Sequence, residues 1–197
     1  MAPPLPAGQR LRAGLTLLAL VAGCIAVIAY AVSARPVAEL PSLGTVPAAA
    51  LTDQRARPFD PAQLRGSVWI ADFIFTRCSG QCPMMSAEVA RVAQQTDPAV
   101  QLVSFTVDPD WDTPEVLARY ATSYHAPERW RFVTGEHAAI ERLSREGFHL
   151  AAAEPITHSG RLVLVDRQGV IRGYYDPTEP EQMRQLREHV RYLLRRS

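Results

Sequence analysis

The pattern of apolar and polar positions divides the chain into a long uncharged run followed by a series of short alternating elements. From Ala13 to Ala34 no residue is charged. A run of that length can cross a bilayer core of ~30 Å as one helix rising ~1.5 Å per residue. After a Pro- and Ala-containing stretch at 35–50, Ser67 to Phe75 is, beyond its first residue and apart from Asp72, apolar on both faces, and it is rich in β-formers. That predicts a buried central strand. Met85, Val89 and Val92 then recur at helical spacing, which predicts a helix with one buried face, with Pro83 suited to its first position. Gln101 to Val107 reads as the next strand. Thr113-Pro114-Glu115 supplies a capping hydroxyl, a first-turn proline and a first-turn acid, the start of a helix to about Tyr124. Trp130 to Val133 reads as a short strand and Glu136 to Arg145 as a helix. Arg161 to Asp166 and Val170 to Tyr175 read as strands joined by a turn at Arg167-Gln168-Gly169, and Glu179 to about Leu193 as a final amphipathic helix. The order β-α-β-α-β-α, a hairpin and a helix predicts an α/β fold, a central sheet flanked by helices.

The flanks of the uncharged run give it a direction. Arg10 and Arg12 precede it; Arg35 and Glu39 follow. The positive-inside rule then puts residues 1–12 in the cytoplasm, 13–34 in the membrane as a single-pass anchor, and the linker 35–50 and domain 51–197 in the periplasm. Two other readings also export the domain. Ala29-Tyr30-Ala31 has the form of a cleavage site, and Val21-Ala22-Gly23-Cys24 that of a lipoprotein box with Cys24 as the lipidated residue. The apolar stretch runs on past Cys24, longer than the ~7–15 residues of a cleaved signal.

Charge changes the picture only by exclusion. The 21 basic and 20 acidic residues nearly cancel, with no basic stripe in the sequence to read as a nucleic-acid footprint. The C-terminal Arg191, Arg195 and Arg196 read as a solvated helix end. Three cysteines are too few for a disulfide scaffold.

Cys78 and Cys82 are therefore the candidate chemistry. They lie four apart in Cys78-Ser79-Gly80-Gln81-Cys82, between the central strand and its helix. Residues at that spacing can share one ion or close a disulfide. A helix N-terminus beside Cys82, with Arg77 adjacent, favours thiolate over thiol. Thiolates are soft donors suited to Cu(I), and one imidazole would complete a three-coordinate copper site. A structural zinc site would want a fourth ligand. Met84 and Met85 are further sulfur donors, with Met85 read as core. Five histidines are available: His125, His137, His149, His158 and His189. His137 and His189 read as exposed and His149 as an ordinary buried histidine. His158 sits in a loop feeding a strand, a common setting for binding residues. Spacing alone leaves the choice open.

These segments together resemble a known family. Phe75-Thr76-Arg77-Cys78-Ser79-Gly80-Gln81-Cys82-Pro83 is similar to the cysteine signature of the Sco/SenC family. Ser104 to Pro114 resembles that family's Asp-Pro…Asp-Thr-Pro segment. Leu51-Thr52-Asp53-Gln54 with Pro58-Phe59 resembles its domain entry, and Trp130 with Thr134-Gly135 also fits. His158-Ser159 with Leu162–Asp166 and Gly169 is similar to the segment carrying its histidine ligand. The resemblance covers residues 51–195. It implies a thioredoxin-like fold and copper, Cu(I) or Cu(II), held by Cys78, Cys82 and His158. It also implies that Cys78 and Cys82 form a redox-active disulfide when oxidised, and that copper is delivered to the dinuclear centre of cytochrome c oxidase subunit II. A periplasmic copper donor or thiol reductant would be a further partner. Asp108 and Asp112 are candidates for shaping the site. The chain departs from the family pattern at Ser79, where proline is common, and at Thr157, where aspartate is common. The rival expectations are a thiol–disulfide oxidoreductase, which needs the cysteines but not His158, and a redox sensor.

Overall fold

The computed structural model describes residues 18, 20–27, 39–78, 80–150 and 160–196. The chain divides into two compact units, Met1–Ala38 and Glu39–Ser197. In the first, residues 20–27 are helical, with Leu20, Val21, Ile25 and Val27 exposed. Most of the expected anchor at 13–34 lies outside the described residues. Among those described, no helix is long and apolar enough to cross a membrane.

The second unit is a seven-stranded sheet with helices. Its strands are β1 (Leu51–Asp53), β2 (Pro58–Phe59), β3 (Trp69–Ile74), β4 (Gln101–Thr106), β5 (Trp130–Thr134), β6 (Leu162–Val165) and β7 (Ile171–Tyr175). Its helices are α1 (Gln81–Gln95), α2 (Pro114–Ser123), α3 (His137–Arg142) and α4 (Pro180–Arg195), with a 3-10 turn at Pro61–Leu64. The order across the sheet is β2-β1-β5-β4-β3-β6-β7. The three central strands β3, β4 and β5 are parallel; β1, β2, β6 and β7 complete the sheet antiparallel to their neighbours. Parallel strands need crossover connections, which α1 and α2 provide.

Alternation along the central strands puts two different cores on the two faces. Trp69, Ala71 and Phe73 of β3 join Val103 and Phe105 of β4 in one apolar cluster with Leu143 and Phe148. Phe73, Phe105 and Phe148 meet there with centroids 5.2–5.6 Å apart. The opposite face carries Ile70, Asp72 and Ile74, with Ser104, Trp130 and Phe132 beside them, all buried. Tyr120 of α2 meets Phe132 edge-on there at 5.9 Å. Burial on both faces is why the β3 sequence reads as almost continuously apolar.

Three local differences from the sequence reading have physical causes. The second half of the expected linker is packed. Leu40 and Val46 are buried, Leu43 and Val46 N–H groups donate to Ile171 and Gly169 carbonyls (3.0 and 2.9 Å), and Thr45 pairs with Val170. The segment covers the outer edge of β7, which would otherwise expose unpaired backbone groups. The helix expected at Glu136–Arg145 is α only over His137–Arg142 and continues as a π turn at Leu143–Gly147. That widening lets Gly147 pass close to Pro47, where an added Cβ would sit 2.7 Å from the proline ring. The third difference is where α1 begins: at Gln81 rather than Pro83. No N–H of a helix's first turn has an intrahelical acceptor, so proline fits there without loss.

Candidate functional site

The cysteine loop leaves β3 at its C-terminal end. The Cys78 N–H donates to the Phe75 carbonyl at 3.2 Å, turning the chain before α1. Cys78 is half-buried there, and Gly80 precedes the helix as its N-terminal flanking residue. The backbone of Cys82 lies in the first turn of α1, where the helix dipole and unused N–H groups favour a negative charge.

Two carboxylates from the loop after β4 hold that turn. Asp112 is fully buried. It accepts from the Thr76 N–H at 3.1 Å, from the Thr76 hydroxyl, and from the Thr106 hydroxyl at 2.5 Å. The Thr106 hydroxyl in turn accepts from the Asp108 N–H at 3.0 Å. Asp108 grips Arg77 through Nε at 3.1 Å and Nη2 at 2.6 Å, and the guanidinium lies 4.6 Å over the ring of Trp111. The sequence reading made Arg77 a cation available to the thiol. Here its charge is matched by Asp108, and both residues serve to tie the two loops together. The local sequence explains this geometry. Asp112 N–H donates to the Asp108 carbonyl at 2.9 Å, a single helical turn that brings both acids to one side. Thr113 then caps α2 through the Val116 N–H.

A second polar layer lies under the loop. Asp72 of β3 is buried, accepting from the Ser104 hydroxyl at 2.6 Å, which itself accepts from Trp130 Nε1 at 2.9 Å. Its other oxygen, Oδ2, is buried without a hydrogen bond. Burial pushes the carboxyl up to about 7, the Ser104 hydrogen bond opposing only in part. Ser86, one turn after Cys82 in α1, shares a 2.9 Å hydrogen bond with Tyr120, and burial holds that phenol protonated. Sequence reasoning noted Asp72 only as a break in an apolar strand. A lone carboxylate inside such a run was the signal available.

The two methionines separate cleanly. Met85 is buried in the core, as expected, whereas Met84 is 63% exposed. The histidines do not all follow expectation. His137 is exposed, as read. His149 is exposed rather than buried, with φ +50° beside Gly44. His189 is half-buried rather than exposed, because Tyr175 bonds its Nδ1 at 2.6 Å, and burial lowers its pKa. His158 and Ser79 lie outside the described residues, as does the side chain of Cys82. Among the described residues no group of three His, Cys, Asp or Glu side chains could hold a metal. In the antiparallel register with β3, Val165 pairs with Trp69 and Val163 with Ala71, so β6 begins toward the C-terminal end of β3.

Comparison with known proteins agrees with this architecture. A family model described as SCO1/SenC matches residues 45–195. The chain is 33% identical over 128 residues to the SCO1 protein homolog of Bacillus subtilis, covering 59% of this chain and 65% of that one. The match therefore spans just under two thirds of that relative. A Stutzerimonas stutzeri protein named for copper binding is 34% identical over 146 residues, 68% of this chain and 71% of its own. Among solved structures, a SCO1/SenC family lipoprotein from Bacillus anthracis superimposes with TM-score 0.70 at 27% identity, covering 81% of this chain and 99% of that one. BsSco, described as a member of the Sco family of cytochrome c oxidase assembly proteins with a disulfide switch, gives 0.68 at 26%, covering 78% and 96%.

Proposed function

The chain belongs to the SCO1/SenC family, and from that premise we propose that it is a membrane-anchored copper carrier for cytochrome c oxidase assembly. Copper is its cargo. Cys78 and Cys82 bind it as thiolates, His158 supplies the third donor, and the acceptor is the dinuclear copper centre of oxidase subunit II. The observation that carries this reading is the braced turn: Asp112 and Asp108 fix Thr76 and Arg77, the two residues before Cys78. A pre-set loop lowers the entropy cost of bringing two thiolates to one ion. β6 begins toward the C-terminal end of β3, and His158 precedes Leu162 by four positions in the sequence, which further supports the ligand set. So does the chemistry: two thiolates and an imidazole suit Cu(I) and also balance the charge of Cu(II).

Transfer then proceeds by ligand exchange. A target cysteine enters the three-coordinate sphere, one thiolate of the pair leaves, and the ion crosses. Oxidation of Cys78 and Cys82 to a disulfide passes two electrons to a partner disulfide and removes both thiolates, so a chain oxidised in this way must be reduced by a thiol reductant before it loads again. Residues 13–34 anchor the chain and the domain faces the periplasm. Lipidation of Cys24 is the alternative attachment, supported by the lipoprotein named above.

Copper stoichiometry and absorption spectra of the reduced full-length chain test the reading. About one copper per chain is expected, with loss of binding in Cys78→Ser and Cys82→Ser. His158→Ala should lose copper yet keep disulfide exchange. Retained copper with abolished exchange in that variant would reverse the assignment, in favour of a thiol–disulfide oxidoreductase.

A further inference from the structure

Large apolar side chains meet solvent at few points on the unit Glu39–Ser197. Among its described residues they are Leu43, Met84 and Trp111. Leu43 belongs to the entry segment that covers β7. The other two flank the cysteine loop. Met84 lies in the first turn of α1, two positions after Cys82. Trp111 lies against Arg77, the residue before Cys78, with its ring centre 4.6 Å from the guanidinium carbon. Single apolar residues scattered over a surface need no explanation; their concentration beside one reactive loop marks a contact surface.

Trp111 is the stronger feature. Of the three tryptophans in the chain, Trp69 and Trp130 are buried in the core, whereas Trp111 is 51% exposed. Its backbone is fixed on both sides. The N–H donates to the Asp108 carbonyl at 3.1 Å, and the carbonyl accepts from the Thr113 N–H at 2.9 Å. The guanidinium over the ring is itself gripped by Asp108. The brace on the cysteine loop does not need the indole, because Asp108 holds Arg77 and Asp112 holds Thr76 through their carboxylates. What the indole adds is an apolar surface presented from a fixed backbone. Tryptophan and arginine carry a large share of the binding energy where proteins meet. A side chain already held in place loses little entropy on docking.

Charge narrows the partner. Arg77 is matched by Asp108, and Glu115 at the start of α2 feels the charge of Arg119 four positions on. Asp110, next to Trp111, is exposed and forms no ion pair among the described residues. The surface therefore offers an apolar ring with an unanswered carboxylate beside it. Resting on the copper-carrier reading above, we propose that Trp111 is the anchor on which the copper acceptor docks. Its indole enters an apolar recess of the acceptor, beside a lysine or arginine that pairs with Asp110. Met84 adds a second apolar contact on the α1 side of the loop. Docking there brings the acceptor's cysteines to the neighbourhood of Cys78, next in the chain to the arginine that Trp111 covers.

The test mixes the full-length chain, loaded with Cu(I), with the reduced, copper-free soluble domain of oxidase subunit II and, separately, with bicinchoninate, a Cu(I) chelator too small to use the surface. Trp111→Ala should slow transfer to the protein about tenfold and leave the chelator rate unchanged. Trp111→Phe should recover most of that loss. Asp110→Lys, at a position with no ion pair to lose, should slow transfer to the protein at low salt and remove its salt dependence. Unchanged protein rates in Trp111→Ala overturn the proposal. So does equal slowing toward both acceptors, which would make the ring part of the brace on the loop. A dimer of the parent that dissociates in Trp111→Ala would assign the ring to self-association and overturn the proposal as well. A parent that holds no copper sinks the carrier reading instead. Docking is then judged by reduction of the acceptor domain's disulfide against reduction of a small aromatic disulfide, where Trp111→Ala should show the same contrast and its absence overturns the proposal.

Discussion

At the scale of single residues, two buried aspartates do opposite things. Asp112 is satisfied: three donors surround it, two of them from Thr76. Removing it leaves the Thr76 N–H and two hydroxyls without their acceptor, the Thr106 hydroxyl in a buried position. Asp112→Ala is expected to cost about 2–4 kcal/mol in urea unfolding and to weaken copper retention, since Cys78 is two residues from the lost contact. Unchanged stability would mean the loop is held by something else. Asp72 is not satisfied, and its cost depends on pH. The folded chain keeps its proton up to about pH 7, because burial outweighs the Ser104 hydrogen bond. The unfolded chain releases that proton near the ordinary value of 3.8. Stability from this group therefore falls as pH rises from about 4 to about 7 and stays at the lower level above. Three pH units correspond to about 4 kcal/mol. Asp72→Asn should flatten that slope, so its advantage over the parent should be larger at pH 8 than at pH 5. A variant whose urea midpoint tracks the parent's at both values would refute the account.

At the scale of elements, strand alternation decides which side chains support the site. Phe105 of β4 points into the aromatic cluster with Phe73 and Phe148, while its neighbours Ser104 and Thr106 face the helices and carry the polar layer that reaches Asp72 and Asp112. One strand thus packs the core with one set of residues and positions the loop with the other. Phe105→Ala should destabilise the domain by about 3–5 kcal/mol through lost burial and the cavity left behind. Because the two faces are separate, copper stoichiometry of the fraction that stays folded should be unchanged; denaturant melts paired with metal analysis at low temperature would check both. The cap at Thr113 and the first-turn Pro114 start α2 directly after Asp112, so the helix and the loop brace one another.

For the molecule as a whole, the parallel centre of the sheet sets two poles. The cysteine loop and the loop carrying Asp108 and Asp112 leave the C-terminal ends of β3 and β4, where ligand sites of open α/β sheets gather. The hairpin, the end of α4 and the chain entry gather at the other end.

Much of this was legible in the order of residues. The buried strand before the cysteines, the helix after them, the hairpin and the capped α2 follow from periodicity and turn chemistry, which act over a few neighbours and need no knowledge of the fold. The dithiol was visible for the same reason, its two members being four residues apart. What only the tertiary structure decided is long-range: Asp112 with Thr76 across 36 positions, Asp108 with Arg77 across 31, the packing of residues 40–46 along β7, and the engagement of His189 by Tyr175. Such contacts depend on strand order and register, which a single sequence pattern does not specify.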